Sequence, residues 1–364
     1  MTKYKITVYA IAKNEEINVL KWYDSMKEAD EIVVLDTGST DKTLSLLKKC
    51  PKIKVYCEQI KPWRFDVARN KSLSYVSSDT DICVCTDLDE RFKKGWRKIL
   101  EDNWHHDTTR ARYLYNWSFD SYGNPGTTFY LNKIHTRNNY SWVNAVHEIL
   151  VSSQEEKEII IPGIVLNHYQ DFTKKRSSYL PLLELSVKED PSNDRNTHYL
   201  GREYMYYKMW DKAIDTLHKH LELPSATWKD ERCASMRYIG YSYYQKNYLE
   251  EAVMWYKKAI KEAPYLREPY FDLGYLYYSI NNYSESEKYL KQALKIKEKT
   301  ISYINEERAW NETIYDLLSI ACYYNNKFKE SLRYIKKALK INNQDKRLQE
   351  NYQIISNYLK KDIN

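Results

Sequence analysis

Four times between residues 201 and 338 the chain repeats one spacing of small residues. Gly201, Gly240, Gly274 and Ser319 are followed twelve residues later by Ala213, Ala252, Ser286 and Ser331. Seven residues further on come His220, Ala259, Ala293 and Ala338. Trp210, Leu249, Tyr283 and Phe328 fall between the first two positions. The units are offset by 39, 34 and 45 residues. Small residues are needed where two antiparallel helices approach closely, and large ones fill the gaps between stacked units. From about Arg195 onward the chain is therefore expected to be a solenoid of helix pairs. His220 makes the first unit imperfect. Leu348, Tyr352, Ile355 and Leu359, at helical spacing, are expected to form a capping helix. The abundant tyrosine belongs to repeat core and groove and is not read as a platform for nucleic-acid bases.

This pattern closely resembles the tetratricopeptide repeat, and the resemblance implies a concave groove of the kind that binds peptides. The first half reads differently. Tyr4–Ala12, Glu31–Leu35, Ile53–Tyr56 and Asp81–Thr86 read as strands, with amphipathic helical stretches between the early ones. Strand, helix, strand, helix, strand describes βαβ units and a mostly parallel sheet. A helix cap is expected at Ser39 or Thr40. Glu158–His168 reads as an apolar, hairpin-like run. The architecture changes near Pro191, and the domains are taken as 1–175 and 176–364.

Polar motifs close the strands. Asp87-Leu88-Asp89-Glu90 follows the fourth, and in an extended strand Asp87 and Asp89 would point the same way. Two carboxylates held so close repel unless a cation lies between them. The alternative is a solvated acidic turn. With it, in order, stand Ile11-Ala12-Lys13-Asn14-Glu15, Asp36-Thr37-Gly38-Ser39-Thr40-Asp41 and Ala68-Arg69-Asn70. Together these resemble the nucleotide-sugar half of a family 2 glycosyltransferase of GT-A fold, over roughly the first 170 residues. The fold class that follows is an α/β GT-A (Rossmann-like) domain joined to an all-α repeat solenoid.

The resemblance implies inverting transfer from a nucleotide sugar, read as a UDP-sugar, with Mn²⁺ or Mg²⁺ at the Asp-x-Asp motif. It makes Asp89 a direct metal ligand, with Asp87 acting through metal, ribose or water. Glu15 becomes a candidate ribose contact, Ile11 lies beside the base, and Asp36 serves base or ribose. Many relatives carry Asp-Asp-Gly where this chain has Asp36-Thr37-Gly38, which leaves the base contact open. Arg69 would reach base or diphosphate, a guanidinium suiting both; a surface salt bridge is the plainer reading. An inverting transfer needs a base for the acceptor proton. Glu148 is preferred and His147 is the alternative, in the stretch Trp142–Glu148. His168, at the end of an apolar run, is a candidate third metal ligand, since imidazole suits Mn²⁺.

A net charge of +7 with no long Lys/Arg run argues against nucleic acid and suits an anionic donor. The six cysteines include no Cys-x-x-Cys pair, so reduced thiols in a cytoplasmic protein are expected. No apolar run is long enough to span a bilayer, and no signal peptide is evident. The combination is similar to bacterial protein and peptide glycosyltransferases, including the S-glycosyltransferases of sublancin-type bacteriocins. A hexosyl- or N-acetylhexosaminyltransferase acting on a polypeptide side chain is expected, with Ser/Thr and Cys both open as nucleophile. Two other readings are an inactive domain on a repeat scaffold, and a transferase for a soluble glycan whose repeats form a homodimer.

Overall fold

In a computed structural model, residues 3–120, 122–171 and 179–361 are described. They divide into two compact units, 1–189 with 301–303, and 190–300 with 304–364. The expected boundary at 175/176 lies outside the described residues. Among the described residues no helix is long and apolar enough to cross a membrane.

Among its described residues the first unit contains ten strands: β1 Ile6–Ala12, β2 Glu31–Asp36, β3 Ile53–Cys57, β4 Ile82–Cys85, β5 Glu90–Phe92, β6 Arg110–Asn116, β7 Thr128–Thr136, β8 Tyr140–Val143, β9 Ile149–Ser152 and β10 Glu158–His168. Its helices are α1 Val19–Met26, α2 Thr43–Leu47, α3 Phe65–Ser74, α4 Trp96–Asn103 and α5 Tyr179–Glu189. Eight strands form one sheet in the order β3-β2-β1-β4-β7-β6-β10-β5. The first four are parallel, and β7 runs antiparallel to both β4 and β6. The chain winds outward from β1 through β2 to β3, then returns to lay β4 on the other side of β1. That reversal opens a crevice at the carboxyl ends of β1 and β4, where ligands of α/β sheets bind.

Strand alternation divides the core between the two faces of the sheet. Val8, Ala10, Val34 and Val84 pack with Trp22, Met26 and Leu100. Tyr9, Val33, Cys83 and Cys85 pack with Leu73, Trp142 and Leu150. Burial on both faces explains why β2 is an almost unbroken apolar run. Two sequence expectations need correction here. Residues 158–168 are a single strand, β10, whose register against β6 shifts between Ile161 and Val165; Pro162-Gly163 bulges the strand without reversing it. The helix cap expected at Ser39 or Thr40 is instead at Lys42, with Asp41 Oδ1 accepting from the Thr43 N–H at 2.9 Å.

The second unit is helical: α6 Asp194–Tyr206, α7 Trp210–Glu222, α8 Lys229–Gln245, α9 Leu249–Glu262, α10 Glu268–Ser279, α11 Tyr283–Ala293, α12 Glu312–Tyr324, α13 Phe328–Ile341 and α14 Lys346–Lys361. The repeat positions fall where the spacing put them. Trp210, Leu249, Tyr283 and Phe328 each open the second helix of a pair. The small residues mark the crossings. A Cβ on Gly201 would lie 2.5 Å from Leu217 Cγ, and one on Gly274 would lie 2.7 Å from Leu290 Cγ. Leu348 and Ile355 of α14 close the last unit against Ile335 and Ala338.

Candidate active site

The loop after β1 and the turn after β2 are tied to each other. Asn14 N–H donates to Ser39 Oγ at 2.9 Å, and Thr40 N–H donates to Asn14 Oδ1 at 2.8 Å. Glu15 N–H donates to Thr43 Oγ1 at 2.6 Å, and Lys42 N–H donates to Glu16 Oε2 at 2.9 Å. The Lys-Asn-Glu-Glu and Asp-Thr-Gly-Ser-Thr-Asp motifs thus fold as one rim beside the crevice. Asp36, 3% exposed, accepts from the N–H groups of Gly38 and Ser39 with Oδ1, while its buried Oδ2 has no hydrogen-bond partner. A buried carboxylate oxygen without a donor suits a ligand N–H or hydroxyl. Glu15 sends its side chain to Asn18 at 2.9 Å, and Ile11 is half-buried near the end of β1.

Asp87 and Asp89 do not extend a strand, as the alternation argument supposed. β4 stops at Cys85, and the chain turns through Leu88-Asp89: Glu90 N–H donates to Asp87 O at 3.0 Å, and Asp87 N–H to Glu90 Oε2 at 2.8 Å. The turn separates the two carboxylates and gives them different partners. Asp87 accepts from Arg69 Nη2 at 2.8 and 3.1 Å, and Lys133 Nζ lies 3.4 Å away. Asp89 Oδ2 lies 3.3 Å from His168 Nε2. His168 is 8% exposed, stacks on Trp117, and has Nδ1 3.1 Å from the Trp117 carbonyl oxygen. That carbonyl can only accept, so Nδ1 carries the hydrogen; an unprotonated Nε2 would face the Asp89 carboxylate. Burial alone would lower the imidazole, but that carboxylate outweighs it and raises the group above its ordinary value. Two acceptors facing each other call for a proton or a metal ion between them.

Arg69 is 4% exposed and joins the two halves of the site. Its Nε donates to Glu148 Oε1 while Nη2 holds Asp87. The adjacent Asn70 explains the rest of its motif. Its side-chain amide donates to the Trp142 carbonyl and accepts from the Trp142 N–H, both at 2.8 Å, pinning β8 to α3. From the other side Trp142 Nε1–H donates to Tyr9 Oη at 2.9 Å, and Tyr9 Oη lies 2.9 Å from His135 Nε2. Burial pushes His135 down to about 3, so it remains a neutral acceptor in this chain of bonds. Glu148 follows the loop so fixed. His147 adopts φ 51° and sets its ring edge-on to Tyr179 at 5.8 Å.

The site therefore gathers Arg69, Asp87, Asp89, Glu148 and His168, while Ile11, Glu15 and Asp36 stand at the ends of β1 and β2. Lys133 and Glu90 were missed by sequence reasoning. Lys133 carried no local signal: it is the lone cation in Leu131–His135, and only the β4–β7 pairing of Val84 with Ile134, which the fold supplies, sets it beside the end of β4. Burial would raise the Asp87 carboxyl, but Arg69 and Lys133 overcome it and hold that group well below the usual carboxylate range. Burial pushes Glu90 up, against Lys133 and with the help of Asp87 and Asp89. Burial alone would lower Lys133, but Glu90 and Asp87 outweigh it and raise it. The result is a partly buried set of alternating charges that can meet an anion with Arg69 and Lys133, and a cation with Asp89 and His168.

Residues 7–161 match the family model described as glycosyl transferase family 2, and residues 239–265 and 268–300 match the tetratricopeptide repeat. The SPbeta prophage-derived glycosyltransferase SunS of Bacillus subtilis is 26% identical over 228 residues, 59% of this chain and 53% of that protein. The lipopolysaccharide core biosynthesis glycosyltransferase LpsC of Rhizobium meliloti is 30% identical over 105 residues, 28% of this chain and 37% of that one. The chain thus spans about half or less of the length of these relatives. Among solved structures, MamA covers 48% of this chain and 97% of its own at 19% identity, with a TM-score of 0.38. The chain thus joins a region that matches family 2 glycosyltransferases to a region that matches tetratricopeptide repeats.

Proposed function

We propose that the chain is an inverting glycosyltransferase that moves a sugar from a nucleoside-diphosphate donor, a UDP-sugar in this reading, to a polypeptide side chain. The observation that carries the proposal is the convergence on Arg69: one guanidinium holds Asp87, from the Asp-x-Asp turn, and Glu148, the candidate base. Asp36, with its unpartnered Oδ2, and Glu15 and Ile11 would receive the nucleoside. Asp89 and His168 would hold Mn²⁺ or Mg²⁺, a donor set of carboxylate and imidazole that suits Mn²⁺ in particular. When bound, the ion would supply neutralisation of the leaving diphosphate.

The remaining work falls to the protein's own side chains. Arg69 and Lys133 add fixed positive charge in a buried setting, where preorganised charge counts for more than in water. Asp87 keeps both oriented and is the third candidate ligand. Arg69 engages Glu148 through Oε1, leaving Oε2 to take a proton from the acceptor hydroxyl or thiol. His147, turned toward Tyr179, is the alternative base. The repeats supply the affinity for a protein acceptor, as stacked helix pairs commonly do.

The test pairs two variants. Asp89→Ala should cut transfer by about 10²–10³-fold or more with the fold retained, and nucleotide binding should lose its dependence on Mn²⁺. Glu148→Gln should cut transfer to a hydroxyl acceptor by about 10²–10⁴-fold, with donor affinity nearly unchanged. Screening nucleotide sugars for turnover, with mass spectrometry of the acceptor, reads both. Full activity with unchanged metal dependence in Asp89→Ala would reject the site, and normal turnover in Glu148→Gln would move the base to His147.

A further inference from the structure

The first repeat departs from the others at a small position, and the departure is chemical. Ala259, Ala293 and Ala338 are fully buried on α9, α11 and α13. The equivalent residue on α7 is His220, also fully buried. A second fully buried histidine, His198 on α6, lies with its ring centroid 5.3 Å from that of His220. Ser235 of α8 sits between them, its Oγ 2.7 Å from His198 Nδ1 and 2.9 Å from His220 Nδ1. Glu231, one turn earlier on α8 and 5% exposed, brings Oε1 to 3.4 Å from His220 Nε2. One potential donor atom from each of His198, His220 and Glu231 lies within 4.8 Å of the others.

Hydrogen bonding leaves part of this group unanswered. Nε2 of His198 and Nε2 of His220 are both buried and make no hydrogen bond, His220 Nε2 having only the Glu231 carboxylate at 3.4 Å. The Ser235 oxygen has two lone pairs, so it can accept from Nδ1–H of both rings. Each ring then presents an unprotonated Nε2. In a dry interior such an acceptor is unfavourable unless something takes its lone pair. Arg195 and Arg202 act on His198 electrostatically and oppose a cation, whereas Glu231 favours one.

We propose that His198, His220 and Glu231 form a structural transition-metal site inside the first repeat, with Zn²⁺ as the ion its chemistry fits. Two imidazoles and a carboxylate are zinc ligands, and Ser235 fixes the ring nitrogens that face away from the ion. The site joins α6, α7 and α8, and so couples the first repeat to the start of the second. It is separate from the Asp89–His168 pair and does not rest on the transferase reading.

The full chain is equilibrated with Zn²⁺, dialysed, and assayed for bound zinc by elemental analysis and for thermal unfolding with and without chelator. Wild type and Asp89→Ala should both retain one zinc that His220→Ala loses, and chelation should lower the unfolding temperature of the first two only. His220→Ala installs the residue the other three repeats carry, so its helical circular dichroism should match wild type. Should that variant misfold, Glu231→Gln preserves size and removes the charge, and should lose the same zinc. Ser235→Ala should weaken zinc affinity by about 10–100-fold. If wild type retains no zinc, or if the folded variants retain as much as wild type, the cluster is a buried hydrogen-bond network only.

Discussion

The two units reach their close contacts by opposite routes. In the repeats, residues that meet are near in sequence: Gly201 faces Leu217, Gly240 faces Tyr256 and Gly274 faces Leu290. In the sheet domain, the side chains that build the site are far apart. Arg69 and Glu148 are separated by 79 positions, Asp89 and His168 by 79, and Asp87 and Lys133 by 46. The first arrangement repeats a local rule and absorbs small errors one unit at a time. The second depends on the whole sheet being in register, and it buries charge that is tolerable only while every partner is present.

The largest effect that would sharpen this contrast is at Arg69. Replacing it with Met keeps apolar bulk but leaves the carboxylates of Asp87 and Glu148 facing each other without their shared cation. Breaking a buried pair in this way costs about 3–5 kcal/mol. Denaturant unfolding of Arg69→Met should show the sheet domain losing that much while the helical signal of the repeats melts at its wild-type midpoint. A common shift of both transitions would mean that the two units unfold together, and the contrast would fail.

The same contrast explains what could be read from the sequence. The repeat positions were legible because the spacing of small residues is itself the packing rule; the aromatic or apolar residue between the first two small positions turns out to begin each second helix, which the spacing alone did not say. The strand ends were legible because turn chemistry marks them: Asp36–Asp41 and Lys13–Glu16 are polar where apolar runs stop. Side-chain pairing across the sheet was not legible. Nothing local in Asp87-Leu88-Asp89 says that a turn will separate the carboxylates, or that Lys133 will arrive beside the first. Residues 158–168 misled because Pro-Gly is a turn signal that a bulged strand can also absorb.

A smaller effect probes the repeats alone. A Cβ at Gly201 would meet Leu217 Cγ and Cδ2 at 2.5 and 2.6 Å, whereas at Gly240 the nearest atoms are Tyr256 Cδ1 and Cε1 at 3.2 Å. Overpacking of a tight crossing costs about 1–3 kcal/mol, set against a helix-propensity gain of about 1 kcal/mol for replacing Gly with Ala. Gly201→Ala should therefore destabilise the repeat unit by up to about 2 kcal/mol, and Gly240→Ala, with its looser contacts, should lie near zero or below. Equal effects at the two positions would show that crossing distance is not what selects glycine there.

The smallest effect concerns the turn inside each helix pair. Lys208, Asn247, Asn281 and Asn326 all have positive φ, from 59° to 65°, at the repeat offsets. In each, the N–H of that residue donates to the carbonyl three positions back, and the next N–H donates to the carbonyl five positions back, at 2.8 to 3.0 Å. This is the Schellman ending of a helix, whose left-handed residue is ordinarily Gly or Asn. Three units obey that preference and the first carries an exposed lysine. A left-handed conformation costs an ordinary side chain roughly 1–2 kcal/mol relative to glycine, and asparagine somewhat less. Lys208→Gly should thus stabilise the repeat unit by about 1 kcal/mol, Lys208→Asn by a few tenths, and neither should change transfer activity. The helical unfolding midpoint measures the gain. If Lys208→Gly is neutral or destabilising, the lysine makes a compensating contribution, and the first repeat differs from its successors by more than the identity of its turn residue and His220.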